Sequence, residues 1–230
     1  MIKLVNRTNT RRQIVEHLFD AIRQGELKPG DRIGEVNLAR QLGVGQSTLR
    51  EALQELEHQG LVTKHENRAT FVSTLTTKDV EDIYSMRLEL EPMAAALACG
   101  RFTQEHAAQL GRLLDLMQTA MEARDFTGLM KSDLAFHQLI WKLSDNRSLE
   151  KSLNLICMPL FAFYEVKLSY FKSASQSTFS DFTEDWKEHS NLAKVLGEGN
   201  PENVKRAFRE TLRVFRTRHL QHVTLSRYPP

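Results

Sequence analysis

The sequence has little that would place it in a membrane or in an oxidising compartment. It contains only two cysteines, Cys99 and Cys157, which are far apart and outside any CxxC pair, so we expect two reduced, buried thiols. No run approaches the roughly 20 apolar residues that span a bilayer, and no membrane partner is expected. Because the first residues lack the apolar core of a secretory signal, a cytoplasmic location is expected.

The chain also lacks a strong charge of one sign. Its formal net charge is +2, which is too small to argue for a nucleic-acid partner by itself. Residues 1–75 contain 11 Lys+Arg and 9 Asp+Glu, whereas the remaining residues contain 20 of each, so the whole excess lies in the N-terminal third. With 41% hydrophobic and 26% charged residues, the 230-residue chain has the composition of a soluble globular protein with one large or two smaller domains.

The N-terminal third has the pattern of a winged helix-turn-helix. The segments are a helix at 11–25, a short helix that ends near Leu42, a second short helix at 46–60, and strands at 61–63 and 70–72 around a polar tip at 66–68. Gly43-Val44-Gly45 forms the corner between the two short helices. Three helices and a small hairpin predict a DNA-binding domain over residues 1–75.

The second short helix combines an apolar face with a polar N-terminal end. The apolar residues are Leu49, Ala52, Leu53 and Leu56, and the polar ones are Gln46, Ser47, Thr48 and Arg50. A recognition helix turns its N-terminal residues towards base edges, where Arg pairs with guanine and Gln with adenine, while Ser and Thr suit phosphates or bases. A solvated helical hairpin would carry similar residues, but the full order of helix, turn, helix and hairpin favours DNA recognition.

The stretch "GDRIGEVNLARQLGVGQSTLREALQELEHQGLV", followed by "ENRATFV", resembles the DNA-binding domain of the GntR family of bacterial transcription regulators over residues of about 10–74. The resemblance implies that the DNA contacts are Arg50, Gln46, Ser47, Thr48 and the wing residue Arg68. Arginine is usual in the family where this chain has Gln46, and glycine is usual at Ala69, so the preferred operator should differ. The two-fold symmetry of an operator implies a homodimer.

Residues 76–230 predict an all-α helical bundle. Six helical segments are expected, at about 78–99, 103–124, 127–144, 148–171, 181–197 and 201–222. Thr103 and the pair Asn200-Pro201 mark helix starts. Pro159 is expected to kink or divide the fourth segment, and the Ser-rich stretch 173–180 is expected to be a loop.

Three features of this second domain carry candidate chemistry. Asp133 and His137 are four residues apart and therefore share a helix face, and His189 follows one turn after Asp185. A carboxylate and two imidazoles can bind a divalent metal, but the spacing alone favours an ordinary Asp–His pair on a helix surface. Arg87, in "MRLELEPMAAALA", has Glu91 four residues later and forms a simple helical ion pair unless it lies in a cavity.

Residues of about 79–225 resemble FCD, the ligand-sensing domain of the FadR-type branch of GntR regulators, in its shorter, six-helix (VanR-like) version. The resemblance implies a zinc or nickel site at Asp133, His137 and His189. It also assigns Arg87, Asn146 and Thr211 to the binding of a carboxylate effector. Thr211 stands where the family has its third histidine, and Thr is a poor ligand for either metal. Two outcomes stay open, a metal retained by three protein ligands or a metal-free site that binds an acid.

The sequence therefore predicts a ligand-responsive transcription regulator, expected to be a repressor, that binds operator DNA and a small organic or sugar acid. The rival interpretation is a metal-dependent enzyme fused to a DNA-binding domain, with Asp133, His137 and His189 as a facial triad. No motif places a general base or a nucleophile beside these residues, so the chain is not expected to be an enzyme.

Overall fold

The computed structural model describes the backbone of residues 7–24, 26–65, 69–170 and 176–225. The chain divides into two compact units, one of Met1–Thr74 with Ala162–Tyr170 and the other of Leu75–Phe161 with Phe171–Pro230. The predicted domains, 1–75 and 76–230, remain a proposal, and the compact units differ from them in the placement of Ala162–Tyr170. Each unit is described by itself below.

The first unit contains three helices and a small sheet within the described residues. The elements are α1 (Arg7–Gln24), β1 (Arg32–Ile33), α2 (Glu35–Gln41), α3 (Gln46–His58), β2 (Val62–His65) and β3 (Ala69–Val72). The predicted apolar face of α3 is fully buried, because Leu49, Ala52, Leu53 and Leu56 all have exposures of 0%. Leu18 and Ile22 of α1 pack into the same core. This core fixes the orientation of α3, so its opposite face is held outward.

The sheet has one strand more than predicted. Its order is β1-β3-β2 with antiparallel pairing, and β1 pairs through Arg32 opposite Phe71 and Ile33 opposite Thr70. A two-residue strand is too short to show an alternating pattern, which is why the sequence did not indicate it. The first helix also begins at Arg7 rather than at residue 11. The predicted wing tip at 66–68 lies outside the described residues.

The second unit is an all-α bundle, as predicted. Its helices are α4 (Thr77–Cys99), α5 (Gln104–Glu122), α6 (Phe126–Leu143), α7 (Arg147–Tyr170), α8 (Gln176–Gly197) and α9 (Pro201–Leu225). α4 packs against α6, α8 and α9, and α8 also contacts α5 and α9. The predicted helix starts are confirmed, because the Thr103 hydroxyl accepts a hydrogen bond from the His106 N–H and Asn200 Oδ1 accepts from Glu202 and Asn203. Through this packing, α4, α6, α8 and α9 surround a common centre.

Two predictions about helix ends are corrected. α7 runs through Pro159 without a break, so the expectation that the proline would divide this helix is wrong; a proline removes only one backbone hydrogen bond, and Cys157 and Leu160 beside it are buried and hold the segment in place. The loop predicted over 173–180 ends earlier, because α8 already begins at Gln176; residues 173–175 lie outside the described residues. Serine lowers helix propensity only slightly, so a Ser-rich composition was weak evidence for a loop.

Both cysteines are buried and unpaired with each other, in agreement with the prediction of two free thiols. Among the described residues, no helix is both long enough and apolar enough to cross a membrane. The mainly α fold, with a small sheet confined to the first unit, is confirmed within the described ranges.

Candidate DNA-reading surface and metal centre

The exposed end of α3 forms the candidate reading surface, which we define as Gln46, Ser47, Thr48 and Arg50. Gln46, Ser47 and Arg50 are exposed, and Thr48 is half-buried. The N-cap residue of α3 is Gly45, which has no side chain to bond to the first backbone N–H groups. Free N–H groups at a helix N-terminus favour an anion such as a DNA phosphate. The surface thus presents both side-chain and backbone donors outward.

Glu35 holds Arg50 in place on this surface. Glu35 Oε2 lies 3.0 Å from Arg50 Nε, and Glu35 Oε1 accepts a hydrogen bond of 3.0 Å from the hydroxyl of the buried Thr70. The carboxylate thereby ties α2, α3 and β3 together at the base of the reading surface. Since the ion pair uses Nε, both terminal amino groups of Arg50 remain for an incoming acceptor. The sequence did not indicate this contact, and the one signal for it is the Glu at the start of α2.

Arg68, the fifth predicted DNA contact, lies outside the described residues. The roles of Gln46, Ser47, Thr48 and Arg50 in DNA binding remain predictions. What the structure contributes is that these four residues share the outward side of one helix, above a fully buried apolar face.

In the second unit, Asp133, His137 and His189 converge as a donor cluster between α6 and α8. Asp133 Oδ1 lies 2.9 Å from His189 Nε2 and 3.5 Å from His137 Nε2, and the two Nε2 atoms are 3.3 Å apart. Two donors that each lie about 2.0–2.1 Å from one Zn²⁺ at a tetrahedral angle are about 3.3 Å apart. The three separations are close to this value, so the donor cluster fits a single divalent cation.

The orientation of both imidazoles also fits a cation. Glu91 Oε2 lies at an ion-pair distance of 2.8 Å from Nδ1 of His137, outside hydrogen-bond geometry, and the backbone carbonyl of Asp185 is hydrogen-bonded to Nδ1 of His189 at 2.7 Å. A proton on each Nδ1 leaves each Nε2 as a lone-pair donor, and both Nε2 atoms face the carboxylate of Asp133. Three lone-pair donors in contact require a positive charge between them, either a proton or a metal ion.

Electrostatics support a cluster that retains its charges despite burial. Burial alone would raise the pKa of Glu91, but Arg87 and then His137 outweigh it and lower the pKa to about 2. Burial likewise opposes the charge of Asp133, and His189 nevertheless lowers its pKa. In turn burial opposes a charge on His189, and Asp133 raises its pKa. Asp133 and His189 thus stabilise each other's charged forms despite their burial.

Aromatic side chains cover the two imidazoles of the donor cluster, whereas the Asp133 side chain is 21% exposed. Phe136 meets the His189 ring edge-on with the centroids 5.0 Å apart, and Phe215 of α9 stacks on the same ring at 5.1 Å. His137 and His189 are 1% and 3% exposed. Exclusion of water strengthens the attraction between the cluster and a cation.

The position of the missing histidine is occupied by a polar pair. Thr211 is buried on α9, one turn before Phe215, and its hydroxyl donates a 3.0 Å hydrogen bond to Glu188 Oε2. The hydroxyl is thus directed to a carboxylate, and the donor cluster contains one carboxylate and two imidazoles. The Glu188 contact was not predicted, since it depends on how α8 packs on α9.

The other two predicted effector residues have different surroundings. Arg87 is fully buried on α4, where its Nε lies 2.5 Å from Glu91 Oε1 and its terminal amino group donates to the hydroxyl of Tyr84 at 3.2 Å. Asn146 lies at the start of α7, and its side-chain oxygen accepts a hydrogen bond from the N–H of Leu149. This oxygen therefore caps a helix, and effector binding by Asn146 remains a prediction.

Known protein families match both parts of the chain. Residues 10–72 match the gntR family of bacterial regulatory proteins, and residues 82–214 match the FCD domain. The HTH-type transcriptional regulator YdhC of Bacillus subtilis (strain 168) is 33% identical over 142 residues, which are 61% of this chain and 63% of that protein. The chain thus spans less than two thirds of that relative.

Two further proteins align over nearly the whole chain. One, from Paenarthrobacter nicotinovorans, is named "Probable D-xylose utilization operon transcriptional repressor" and is 27% identical over 205 residues, 89% of this chain and 86% of that protein. The other is the structure of E. coli McbR/YncC, with a TM-score of 0.71 and 25% identity, covering 92% of this chain and 97% of that one. The P. nicotinovorans protein is named as a transcriptional repressor and E. coli McbR as an HTH-type transcriptional regulator, in agreement with the prediction that the chain is not an enzyme.

Proposed function

Because the chain belongs to the GntR family of bacterial regulatory proteins and carries an FCD domain, we propose that it is a ligand-responsive transcription repressor. The observation that carries the proposal is that one chain contains both an outward α3 end and, in a separate helical unit, a buried donor cluster. The α3 end binds operator DNA, and the donor cluster binds a small carboxylate effector. Repression is favoured by the name of the P. nicotinovorans relative.

The reading surface is proposed to enter the major groove of half an operator. Arg50 donates to a guanine edge or a phosphate, and Gln46 selects adenine where an arginine would select guanine. Ser47, Thr48 and the N-terminal N–H groups of α3 bind the phosphate backbone. Arg68 of the wing is proposed as a further contact.

A homodimer is proposed, since two copies are needed to occupy both halves of a symmetric operator. α4 offers an apolar surface for pairing with a second copy. Met86, Met93 and Leu97 are 48%, 44% and 40% exposed and lie seven and four residues apart, hence on one side of the helix. Exposed apolar side chains grouped on one face are typical of protein interfaces.

Asp133, His137 and His189 are proposed to hold a divalent cation, zinc or nickel. Such a cation supplies a Lewis-acid site that attracts a carboxylate, which explains why an organic or sugar acid is the expected effector class. Around it, Glu91 and the Asp185 carbonyl orient the two imidazoles, while Phe136 and Phe215 exclude water. For regulation, the effector must bind the DNA-competent state and the DNA-incompetent state with different affinity.

The test is fluorescence anisotropy of the full-length protein with labelled DNA taken from beside its own gene. The expected result is sequence-specific binding that weakens when Zn²⁺ or Ni²⁺ is present together with one member of a panel of small organic and sugar acids. Equal affinity for this DNA and for unrelated DNA would overturn the proposed DNA-binding role. Specific binding that no acid alters, with or without metal, would overturn the proposed effector class.

A further inference from the structure

A buried chain of contacts joins Arg87 to the donor cluster. Arg87 Nε lies 2.5 Å from Glu91 Oε1, and Glu91 Oε2 lies 2.8 Å from His137 Nδ1. All three side chains are 2% exposed or less. Glu91 therefore uses one oxygen for the guanidinium and the other for the imidazole.

Neighbouring side chains engage much of the Arg87 guanidinium in this arrangement. Besides Glu91, its guanidinium contacts the hydroxyl of Tyr84 at 3.2 Å and lies over the rings of Tyr84 and Phe161, at 4.9 and 5.7 Å from the centroids. A carboxylate that took the place of Glu91 on Arg87 would leave a second buried negative charge without its cation. Because an uncompensated buried charge is strongly unfavourable, the existing ion pair is the favoured state.

Glu91 has the position of an outer carboxylate behind a metal-binding histidine. Such a carboxylate fixes the ring tautomer, keeps the ring in place and makes the opposite nitrogen a better donor. Here it lies behind Nδ1 of His137, and Nε2 on the other side of the ring is the atom that faces Asp133 and His189. Arg87 holds Glu91 in this place through its contact with the other carboxylate oxygen.

We propose that Arg87 is a positioning residue of the metal centre, acting through Glu91 on His137, rather than a direct ligand of the effector. This inference rests on the metal centre of the proposed function. It predicts that removal of the Arg87–Glu91 pair weakens metal binding even when no effector is present, which a residue that only contacts the effector would not do.

The test is Zn²⁺ affinity of the full-length protein, measured by competition with a coloured chelator in the absence of any acid. The double variant R87M/E91L removes both buried charges together and keeps similar volumes, so the fold is expected to survive. We expect its Zn²⁺ affinity to fall about tenfold to hundredfold, the usual effect of losing an outer partner of a metal ligand. The control R209M/E89L makes the same changes in the exposed pair Arg209–Glu89 between α9 and α4 and should stay within twofold of the wild type.

Two further measurements keep the inference open to refutation. E91Q retains the side-chain shape and one acceptor oxygen, and we expect a smaller loss of Zn²⁺ affinity than in R87M/E91L. Nitrogen-15 NMR of the metal-free protein should show His137 protonated at Nδ1 in the wild type and a mixture of tautomers in R87M/E91L. Wild-type affinity in both variants would overturn the inference alone. A wild type that binds Zn²⁺ no better than H137A would overturn the proposed metal centre and this inference with it.

Discussion

The reading surface and the donor cluster place their functional side chains in opposite environments. On α3, Gln46, Ser47 and Arg50 are exposed, and only the apolar residues beneath them are buried. In the helical bundle, His137 and His189 are almost completely buried and contact one another. The difference follows from the proposed partners, because a DNA groove needs a protruding surface, whereas a small acid or a cation is bound more strongly where water is excluded.

Because of this difference, substitutions in the two regions should affect ligand binding and stability to different extents. A side chain of the reading surface can be replaced with little effect on stability, since surface substitutions usually change the free energy of unfolding by less than about 0.5 kcal/mol. A residue of the donor cluster carries part of a buried charge network, so its replacement affects both ligand binding and stability. Substitutions in the two units should therefore have separable effects, and four experiments test this.

The largest effect is expected for His137→Ala. It removes one of three donors, and the loss of Zn²⁺ affinity should exceed the tenfold to hundredfold that an outer-partner substitution costs. Calorimetry with Zn²⁺ measures this, and anisotropy with operator DNA should show unchanged affinity when no effector is present. His17→Ala, an exposed histidine of α1, is the control. Loss of operator affinity in a folded His137→Ala protein would contradict the separation of the two units.

Arg50→Ala should have the next largest effect, confined to DNA. Loss of a guanine contact costs about 1–3 kcal/mol in each half-site, and the preference for that base should relax. If Arg50 binds a phosphate instead, the affinity for every DNA sequence should fall equally. The number of ions released on binding, measured from the slope of log affinity against log salt concentration, should then fall by about one per protomer. Anisotropy at several salt concentrations distinguishes the two.

Arg101→Ala is the control for this loss of charge, because Arg101 lies at the end of α4 in an exposed pair with Asp145. Its operator affinity should match that of the wild type. Unchanged operator affinity in Arg50→Ala would show that the reading surface has been assigned to the wrong residues.

Thr211→His tests the departure from the usual ligand set and should increase metal affinity by about tenfold. A third imidazole replaces the hydroxyl on α9, and imidazole is a far better ligand for zinc or nickel than an alcohol. Thr211→Val is the control, since the present hydroxyl donates to Glu188 and does not serve the cation, and its Zn²⁺ affinity should stay within twofold of the wild type. A large loss in Thr211→Val would show instead that the hydroxyl is a ligand.

The sequence predicted those features that a local pattern specifies. The apolar period of α3, the Thr103 and Asn200 caps and the six bundle helices all depend on residues a few positions apart, so a single segment contains the whole signal. The strand β1 was missed, and the loop predicted over 173–180 is wrong from Gln176 onward, because two residues and a serine content carry too little of that signal.

The donor cluster shows where local prediction ends. The Asp133–His137 pair follows from helical spacing, but its approach to His189 depends on how α6 packs against the other helices, and only the family resemblance pointed to it. Glu91 was predicted to pair with Arg87. Its burial and its contact with His137 on another helix could not be predicted, since neither follows from the sequence of α4 alone.

The smallest effect is expected for Glu35→Gln, which tests how the reading surface is held together. The pair with Arg50 is partly exposed, with side-chain exposures of 16% and 59%, so its own contribution to stability is below about 1 kcal/mol. Its role is to restrict the directions of the Arg50 guanidinium. We therefore expect Glu35→Gln to lower discrimination between operator and unrelated DNA severalfold, partly because removing a carboxylate near the phosphates strengthens binding to any DNA.

The control for Glu35→Gln is Glu51→Gln, which removes the same charge from an exposed position of α3. If Glu35 acts only through its charge, both variants lose discrimination equally. If it positions Arg50, the loss is specific to Glu35→Gln and disappears in the Arg50→Ala background, because there is no longer a guanidinium to orient. Competition between labelled operator and unlabelled random DNA measures discrimination in the wild type and in each of these variants. The outcome decides whether the outward surface of α3 is merely exposed or is as preorganised as the buried cluster of the bundle.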